Sequence, residues 1–477
     1  METNIYCVLM KKSLGVLLHI SSLPNDFPIG DFGPAAYALV DRLAGLQIEY
    51  WQILPLGPAD PEYFYSPYTV FSAFALSELY VSPELLREQG LLAAEDMTVC
   101  PAAQTDYARA GALKNALLRQ AYAHFKPDED YMRFQREQAF WLRSYAEFQA
   151  LRRAAGRPWP QWQSAAPDAG LVEYEIFVQY VLFDQWRRLK KYANGKGVKI
   201  IGDLPIFAAH HSADVWRWPQ YFKLRPDKSM AVVAGVPPDY FNQLGQVWNL
   251  PLYDWPVLQR EDFGWWRERV RHALQKYDLI RLDHFRGLEA CYEIPGGDTD
   301  GLRGQWVRTP GRALLAALQQ DFPALPLLAE DLGVITPAVR SLRDDFGLSG
   351  MRVGLLDFID YPRLRGDSEH NIKQVPENCV LYSTTHDFNT VRGWYASAEP
   401  EAQAYFRRET GSTEPAAYLR YWAAAPARLV IFPAQDILGL GAAARMNTPG
   451  TSGAGRNWTW RLENLDGLAM ACPAARN

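Results

Sequence analysis

The chain has 477 residues, of which 48% are hydrophobic and 22% charged, and these fractions are typical of a globular protein. The net charge of −5 comes from acids and bases mixed along the whole chain, so no basic stripe is available to neutralise phosphates and a nucleic-acid partner has little support. No apolar run reaches the roughly 20 residues that cross a bilayer, which predicts a protein without a membrane span.

The cysteine pattern and the N-terminal segment both bear on the compartment. Five scattered cysteines, never paired as C-x-x-C, argue against a disulfide framework and against a zinc cluster. Residues 11–18 imitate the charged and apolar parts of a secretory signal, but His19 interrupts the run and no small-residue cleavage site follows. We therefore predict a cytoplasmic protein.

Short apolar runs that end in polar residues recur along the chain. They are typical of parallel strands, which are buried on both faces and whose C-terminal ends open onto the active-site face of a barrel. Together with amphipathic stretches between several of them, eight such runs predict an α/β fold, a (β/α)8 TIM barrel that forms a single catalytic barrel over residues 1–477. The runs cover residues 15–20, 50–56, 199–207, 278–285, 325–331, 351–358, 379–387 and 429–436.

Two intervals between these runs are too long for one β-loop-α unit and predict insertions. In the interval after the third run, residues 234–241 and 245–248 are rich in Gly, Pro and aromatics without helical periodicity, which predicts that residues 208–275 form a loop-rich insertion over the active site. An aromatic loop at the barrel mouth suits a sugar chain, although a surface loop capped by its own rings explains the pattern equally well. Residues 80–190, after the second run, predict a helical insertion subdomain whose core contains aromatics at helical spacing: Trp141, Tyr145, Phe148, Phe177, Tyr180 and Trp186.

Several of the predicted strands end in acidic residues, among them Asp203, Asp283, Glu330 and Asp387. One carboxylate at a strand end is more often a turn or N-cap residue than a catalyst. Several on one rim raise one another's pKa, which is a cost that proteins seldom carry without function. On these features alone, an ion-pair network that closes the top of the barrel remains the alternative.

The residues near two of these carboxylates predict different protonation states. Arg281 and Asp283 are two apart, so on a strand they share a face and the guanidinium would keep Asp283 ionised. Glu330 has no Arg or Lys so close in sequence, and an apolar environment would raise its pKa and keep it protonated. One protonated and one ionised carboxyl group are what enzymes use to cleave glycosidic bonds. A separation of about 5 to 5.5 Å between the two groups would indicate a retaining mechanism.

The sequence lacks the residue patterns of metal-dependent hydrolases, nucleotide-binding proteins and serine hydrolases. His19 stands alone on its run, and the adjacent His210 and His211 would point apart in an extended chain, which makes them poor partners for one ion. No phosphate loop, no G-x-G-x-x-G after a strand and no G-x-S-x-G elbow is present. The sequence therefore predicts neither a metal nor another cofactor.

Motifs along nearly the whole chain occur in the order of a known family. They are residues 15–19, 51–57, 66–68, 71–74, 202–207, 234–241, 280–287, 328–337, 385–387 and 444–447. On these segments the chain resembles the amylomaltases, the 4-α-glucanotransferases of the α-amylase clan.

The resemblance implies retaining transfer of α-1,4-glucan segments between maltooligosaccharides or to glucose. It implies Asp283 as nucleophile, Glu330 as acid/base and Asp387 as the third active-site carboxylate. An α-glucan hydrolase of the same clan and an inactive glucan-binding pseudoenzyme remain the alternatives. Matching substrate-binding or supporting positions are Asp203, Arg281, His284, His386, Tyr68, Tyr240 and Trp248.

The chain departs from the family pattern at several positions near the site. Phe388-Asn389 replaces Asn-Asp after Asp387, and Asn249 replaces a common Gly. Ser77-Glu78 stands where Asn-Pro is usual, and residues 354–356 lack the usual Gln. We expect these departures to affect chain-length preference and rate.

Overall fold

The computed structural model describes residues 12–162, 166–238, 243–451 and 456–468. Within these residues the strands are β1 Ser13–Leu17, β2 Tyr50–Gln52, β3 Lys199–Leu204, β4 Val232–Val236, β5 Gln246–Pro251, β6 Leu279–Leu282, β7 Ala290–Pro295, β8 Gln305–Arg308, β9 Leu327–Ala329, β10 Gly350–Val353, β11 Cys379–Tyr382 and β12 Leu429–Pro433. The helices are α1 Pro34–Gly45, α2 Pro83–Glu88, α3 Tyr107–His124, α4 Glu129–Glu137, α5 Leu142–Ala155, α6 Ala169–Gly195, α7 Ala213–Arg217, α8 Trp255–Arg260, α9 Gly264–Lys276, α10 Gly311–Asp321, α11 Pro337–Asp345, α12 Gly354–Ile359, α13 Tyr361–Leu364, α14 Val391–Ser397, α15 Pro400–Thr410, α16 Pro415–Ala423 and α17 Ala434–Ile437.

Eight of the strands form one parallel sheet in the order β10-β11-β12-β1-β2-β3-β6-β9. The two end strands meet through a parallel bridge between Leu328 and Ser349, and the amide of Ala329 donates to the carbonyl of Ser349 at 2.9 Å. The sheet is thus nearly closed on itself. Each of the eight predicted runs overlaps one of these strands, and the predicted (β/α)8 barrel is confirmed.

Burial on both faces explains why the barrel strands read as continuous apolar runs. Every residue of β11 and of β12 is buried, because the barrel interior covers one face and helices cover the other. Close packing also dictates one glycine at the end of a strand. A Cβ on Gly354 would lie 2.1 Å from Nε1 of Trp422, so any larger residue there would displace α16 from the end of β10.

Helices occupy most of the interval between β2 and β3, as the aromatic periodicity predicts. In α5 and α6, Tyr145, Phe148, Phe177 and Trp186 are buried, which places these rings in a core. Trp141, which precedes α5, is buried with them. The treatment of residues 80–190 as a subdomain of their own stays a prediction.

The interval after β3 contains more regular structure than we predicted from sequence. Residues 208–275 include β4 and β5, which join β7 and β8 in a four-stranded antiparallel sheet of order β5-β4-β7-β8. β4 pairs with β7, whose residues lie some 60 positions later. A local pattern cannot reveal such a partner, and a five-residue strand carries too few alternating positions to stand out from a loop.

Candidate active site

Arg281 joins two carboxylates at the C-terminal end of the barrel. Its side chain is buried, and its Nη1 donates to Asp203 at 2.9 Å and 2.7 Å and lies 3.0 Å from Oδ1 of Asp283. Asp203 is in β3, and Asp283 directly follows β6. The spacing of Arg281 and Asp283 predicts this contact, because side chains two apart on a strand share a face. Asp203 is only 2% exposed, whereas 27% of the Asp283 side chain remains accessible.

Glu330 directly follows β9, and backbone amides orient its carboxyl group. The amide of His284 donates to Oε2 at 2.7 Å, and the amide of Leu332 donates to Oε1 at 3.0 Å. Burial raises the pKa of Glu330 to about 7, and the negative charge of Asp283 adds to that rise, while Arg281 and the two amides oppose it. Glu330 is thus able to hold a proton near neutral pH while Asp283 sits against a guanidinium.

His284 connects Glu330 to an aromatic wall, which consists of the rings of Trp248, Phe207 and His284 itself. Its backbone is in the left-handed region with φ +50°, which turns its amide toward Glu330. Its ring packs edge-on against Trp248 of β5, with centroids 4.8 Å apart, and also faces Phe207. Burial lowers the pKa of the His284 ring to about 4, so the ring is neutral and suits an aromatic contact.

Asp387 lies beyond β11 in a cluster with His386 and Tyr68. Nε2 of His386 is 3.2 Å from Oδ2 of Asp387 and 2.8 Å from the hydroxyl of Tyr68, which itself donates to Asp203 at 2.7 Å. Burial alone would raise the pKa of Asp387, but His386 and other donors lower it to about 2. Burial opposes a proton on His386, yet the Asp387 carboxylate outweighs that effect and raises the pKa of His386. This cluster therefore favours an ionised Asp387.

The predicted site residues that the structure describes form two groups of contacts, which the peptide bond between Asp283 and His284 connects, and Tyr240 lies outside the described residues. The roles of these residues stay predictions. The first group contains Asp203, Arg281, Asp283, Asp387, His386 and Tyr68, and the second contains His284, Glu330 and Trp248.

The two adjacent histidines take separate partners. Nε2 of His210 lies 2.8 Å from the carbonyl of Lys228, and Nε2 of His211 lies 3.0 Å from Asp60. Among the described residues, no group of three or more His, Cys, Asp or Glu side chains is arranged to hold a metal ion. In the same part of the chain, no helix is long and apolar enough to cross a membrane.

Sequence reasoning did not place residues 445–458 at the site. The side-chain Nδ2 of Asn447 donates to Oδ1 of Asp387 at 2.6 Å, and Nη2 of Arg445 donates to the Asp387 carbonyl at 2.7 Å. The ring of Trp458 packs near that of His386, with centroids 6.0 Å apart. The only signal in the sequence was the family resemblance of residues 444–447, which by itself indicates no contact.

Comparison with known proteins identifies the family. A family model described as 4-alpha-glucanotransferase matches residues 18–466 of the 477. The chain belongs to the 4-alpha-glucanotransferase family. The 4-alpha-glucanotransferase of Thermus thermophilus is 40% identical over 485 residues, covering 95% of each chain. That of Aquifex aeolicus is 38% identical over 467 residues, covering 94% of this chain and 95% of the relative. The solved amylomaltase of Streptococcus agalactiae, in complex with acarbose, has a TM-score of 0.89 and 32% identity and covers 95% of each chain.

The structure explains two departures from the 4-alpha-glucanotransferase pattern. Asn249 has φ +55°, a backbone conformation that glycine adopts freely and that asparagine tolerates better than most residues. Ser77 caps the short 3-10 helix Glu78–Tyr80, because its side chain accepts a hydrogen bond from the backbone amide of Leu79. Serine is a favoured N-cap residue, so the Ser-Glu pair suits the start of this helix. Neither replacement requires a different backbone.

Proposed function

We propose that the protein transfers α-1,4-glucan segments between maltooligosaccharides, or to glucose, by retaining double displacement. The observation that carries this proposal is the contrast between its two central carboxyl groups. Asp283 lies 3.0 Å from Arg281, whereas burial raises the pKa of Glu330 to about 7. A nucleophile must be ionised and a general acid must hold a proton, and these environments meet both needs.

In the first step, a carboxylate oxygen of Asp283 attacks the anomeric carbon while Glu330 gives its proton to the departing glycosidic oxygen. The C–O bond breaks, a shorter saccharide leaves and a glycosyl ester forms on Asp283. In the second step, Glu330 as carboxylate takes the proton of an acceptor 4-hydroxyl, whose oxygen displaces Asp283 at the same carbon. Two inversions leave the linkage in its original configuration.

The remaining residues would hold the sugar and the charges around it. Asp387 is 39% exposed and would hydrogen-bond ring hydroxyls more tightly as the sugar distorts toward the transition state. Trp248 would offer its ring to an apolar sugar face, and Tyr240, which lies outside the described residues, would be a second aromatic contact. Asp203 is buried against Arg281 and would act through that guanidinium instead of touching the sugar.

Transfer in place of hydrolysis requires that an acceptor sugar outcompete water. In our proposal, the segment of residues 237–248, of which 239–242 lie outside the described residues, excludes water, within an insertion of a single catalytic barrel. The acarbose complex of the Streptococcus agalactiae relative supports an oligosaccharide-like ligand. Cys291 and Cys379 are free and buried, which supports a reducing cytoplasm as the compartment.

The test is to incubate the pure protein with maltotriose and separate the products. A transferase yields glucose together with a ladder of longer chains. Only glucose and maltose would indicate a hydrolase, and unchanged maltotriose with measurable binding would indicate a pseudoenzyme. Either of these two results would overturn the proposal. A 5-fluoro-glycosyl fluoride substrate, which slows the second step, should label Asp283 in a peptide map.

A further inference from the structure

The third carboxylate of the site is not held by its own strand. β11 ends at Tyr382, and Asp387 stands five residues beyond it, with 39% of its side chain exposed. A loop position of this kind has rotamer and backbone freedom that a strand-end residue lacks. Something outside the loop has to restrict Asp387 if it is to meet the same sugar as Asp283.

A segment some 60 residues later supplies that restriction. The Asn447 side-chain amide donates to Oδ1 of Asp387 at 2.6 Å, while His386 lies 3.2 Å from Oδ2. The two carboxylate oxygens therefore have different partners, which defines the plane of the group. The backbone amide of Asn447 also donates to the His386 carbonyl at 3.0 Å.

Arg445 fixes the donor itself. Its Nε donates to the Asn447 carbonyl at 2.6 Å, and its Nη2 donates to the main-chain carbonyl of Asp387 at 2.7 Å. This guanidinium thus contacts carbonyl oxygens of both segments and leaves Oδ1 of Asp387 to a neutral amide. An amide orients a carboxylate without cancelling its charge, and that charge suits a site where positive charge develops on the sugar.

We propose that Asn447 is a positioning residue for the reaction, which acts by holding Oδ1 of Asp387, and that Arg445 holds Asn447 in place for that contact. The proposal rests on the function given above for Asp387. Asn447 need not touch the glucan. Its effect appears in the transition state, because Asp387 would bind the distorted sugar more strongly than the relaxed one.

The test compares Asn447→Ala with a control in the same segment, Asn457→Ala. Asn457 accepts from the backbone amide of Thr448, the residue next to Asn447, at 3.1 Å. We expect Asn447→Ala to lower kcat for maltotriose disproportionation about 10- to 100-fold, the worth of one hydrogen bond to a charged group, with KM and Tm little changed. Asn457→Ala should lower kcat less than about threefold.

An isosteric variant separates hydrogen bonding from shape. Asn447→Asp keeps the size of the side chain but removes the donor and adds a like charge beside Asp387. Two carboxyl groups at this distance share one proton at lower pH, and the protonated partner can then donate as the amide did. We therefore expect the activity of Asn447→Asp, relative to wild type, to recover as the pH falls, which a merely structural role would not produce.

Three outcomes would overturn the positioning role: equal losses in Asn447→Ala and Asn457→Ala, a wild-type kcat in Asn447→Ala, or an Asn447→Asp profile parallel to wild type. A wild-type protein that fails to disproportionate maltotriose would instead refute the proposed function. The two failures are therefore distinguishable in one set of assays.

Discussion

The site has two sides that are held in different ways. Asp283 and Glu330 directly follow barrel strands, so the hydrogen-bonded backbones of β6 and β9 fix the Cα position of each residue. Asp387 stands in a loop and takes its position from residues 445–447. The comparison teaches that barrel geometry fixes the backbone of a residue next to a strand end, whereas a residue further along depends on contacts from remote parts of the chain for its backbone as well.

Removing the proposed nucleophile should have the largest effect and tests the strand-held side. We expect Asp283→Asn to reduce kcat by at least about a thousandfold, since an amide cannot form the glycosyl ester. Arg281 keeps Asp203 as its partner, so the fold should persist. Glucose release from maltotriose and a thermal melt measure both quantities. Asp227→Asn, at an exposed turn, serves as the control, and retained turnover in Asp283→Asn would reject the assignment.

The proposed acid/base comes next, and we expect Glu330→Gln to lower kcat about 10²- to 10⁴-fold. Because the pKa of Glu330 is raised to about 7, its proton is present below that pH and is lost as the pH rises through it. Wild-type kcat/KM should therefore fall above about pH 7. A pH profile measured on maltotriose checks this, and an unchanged alkaline limb in Glu330→Gln would assign that limb to another group.

The hydroxyl that links the two sides should matter less. Tyr68→Phe removes the contacts to Asp203 and His386 but leaves the ring in place. We expect kcat to fall about tenfold, in keeping with two lost hydrogen bonds in a buried site. Tyr63→Phe, at an exposed tyrosine, should match wild type in the same assay. A wild-type rate in Tyr68→Phe would mean that the two sides work independently.

The smallest effect is expected at the aromatic wall. Asn249→Gly restores the residue common in the family, and the left-handed backbone accepts either residue. We expect rates with maltotriose and with amylose to change less than about threefold. A selective loss with amylose above tenfold would instead show that the exposed amide contacts the glucan.

Several features were determined by the sequence alone. Parallel strands that are buried on both faces consist of consecutive apolar residues, so all eight barrel strands could be located from the sequence. Carboxylates at the ends of those runs had to share one rim, because the C-terminal ends of barrel strands point the same way. The alternation of side chains along a strand also predicted the contact between Arg281 and Asp283.

Only the tertiary structure decided how the site is completed. The pairing of β4 with β7 and the contact of Asn447 with Asp387 join residues some 60 positions apart. Neither local periodicity nor residue type encodes such partners, because they depend on how the loops fold back over the barrel. The two backbone amides that orient Glu330 are equally invisible in the sequence, since every residue except proline carries one.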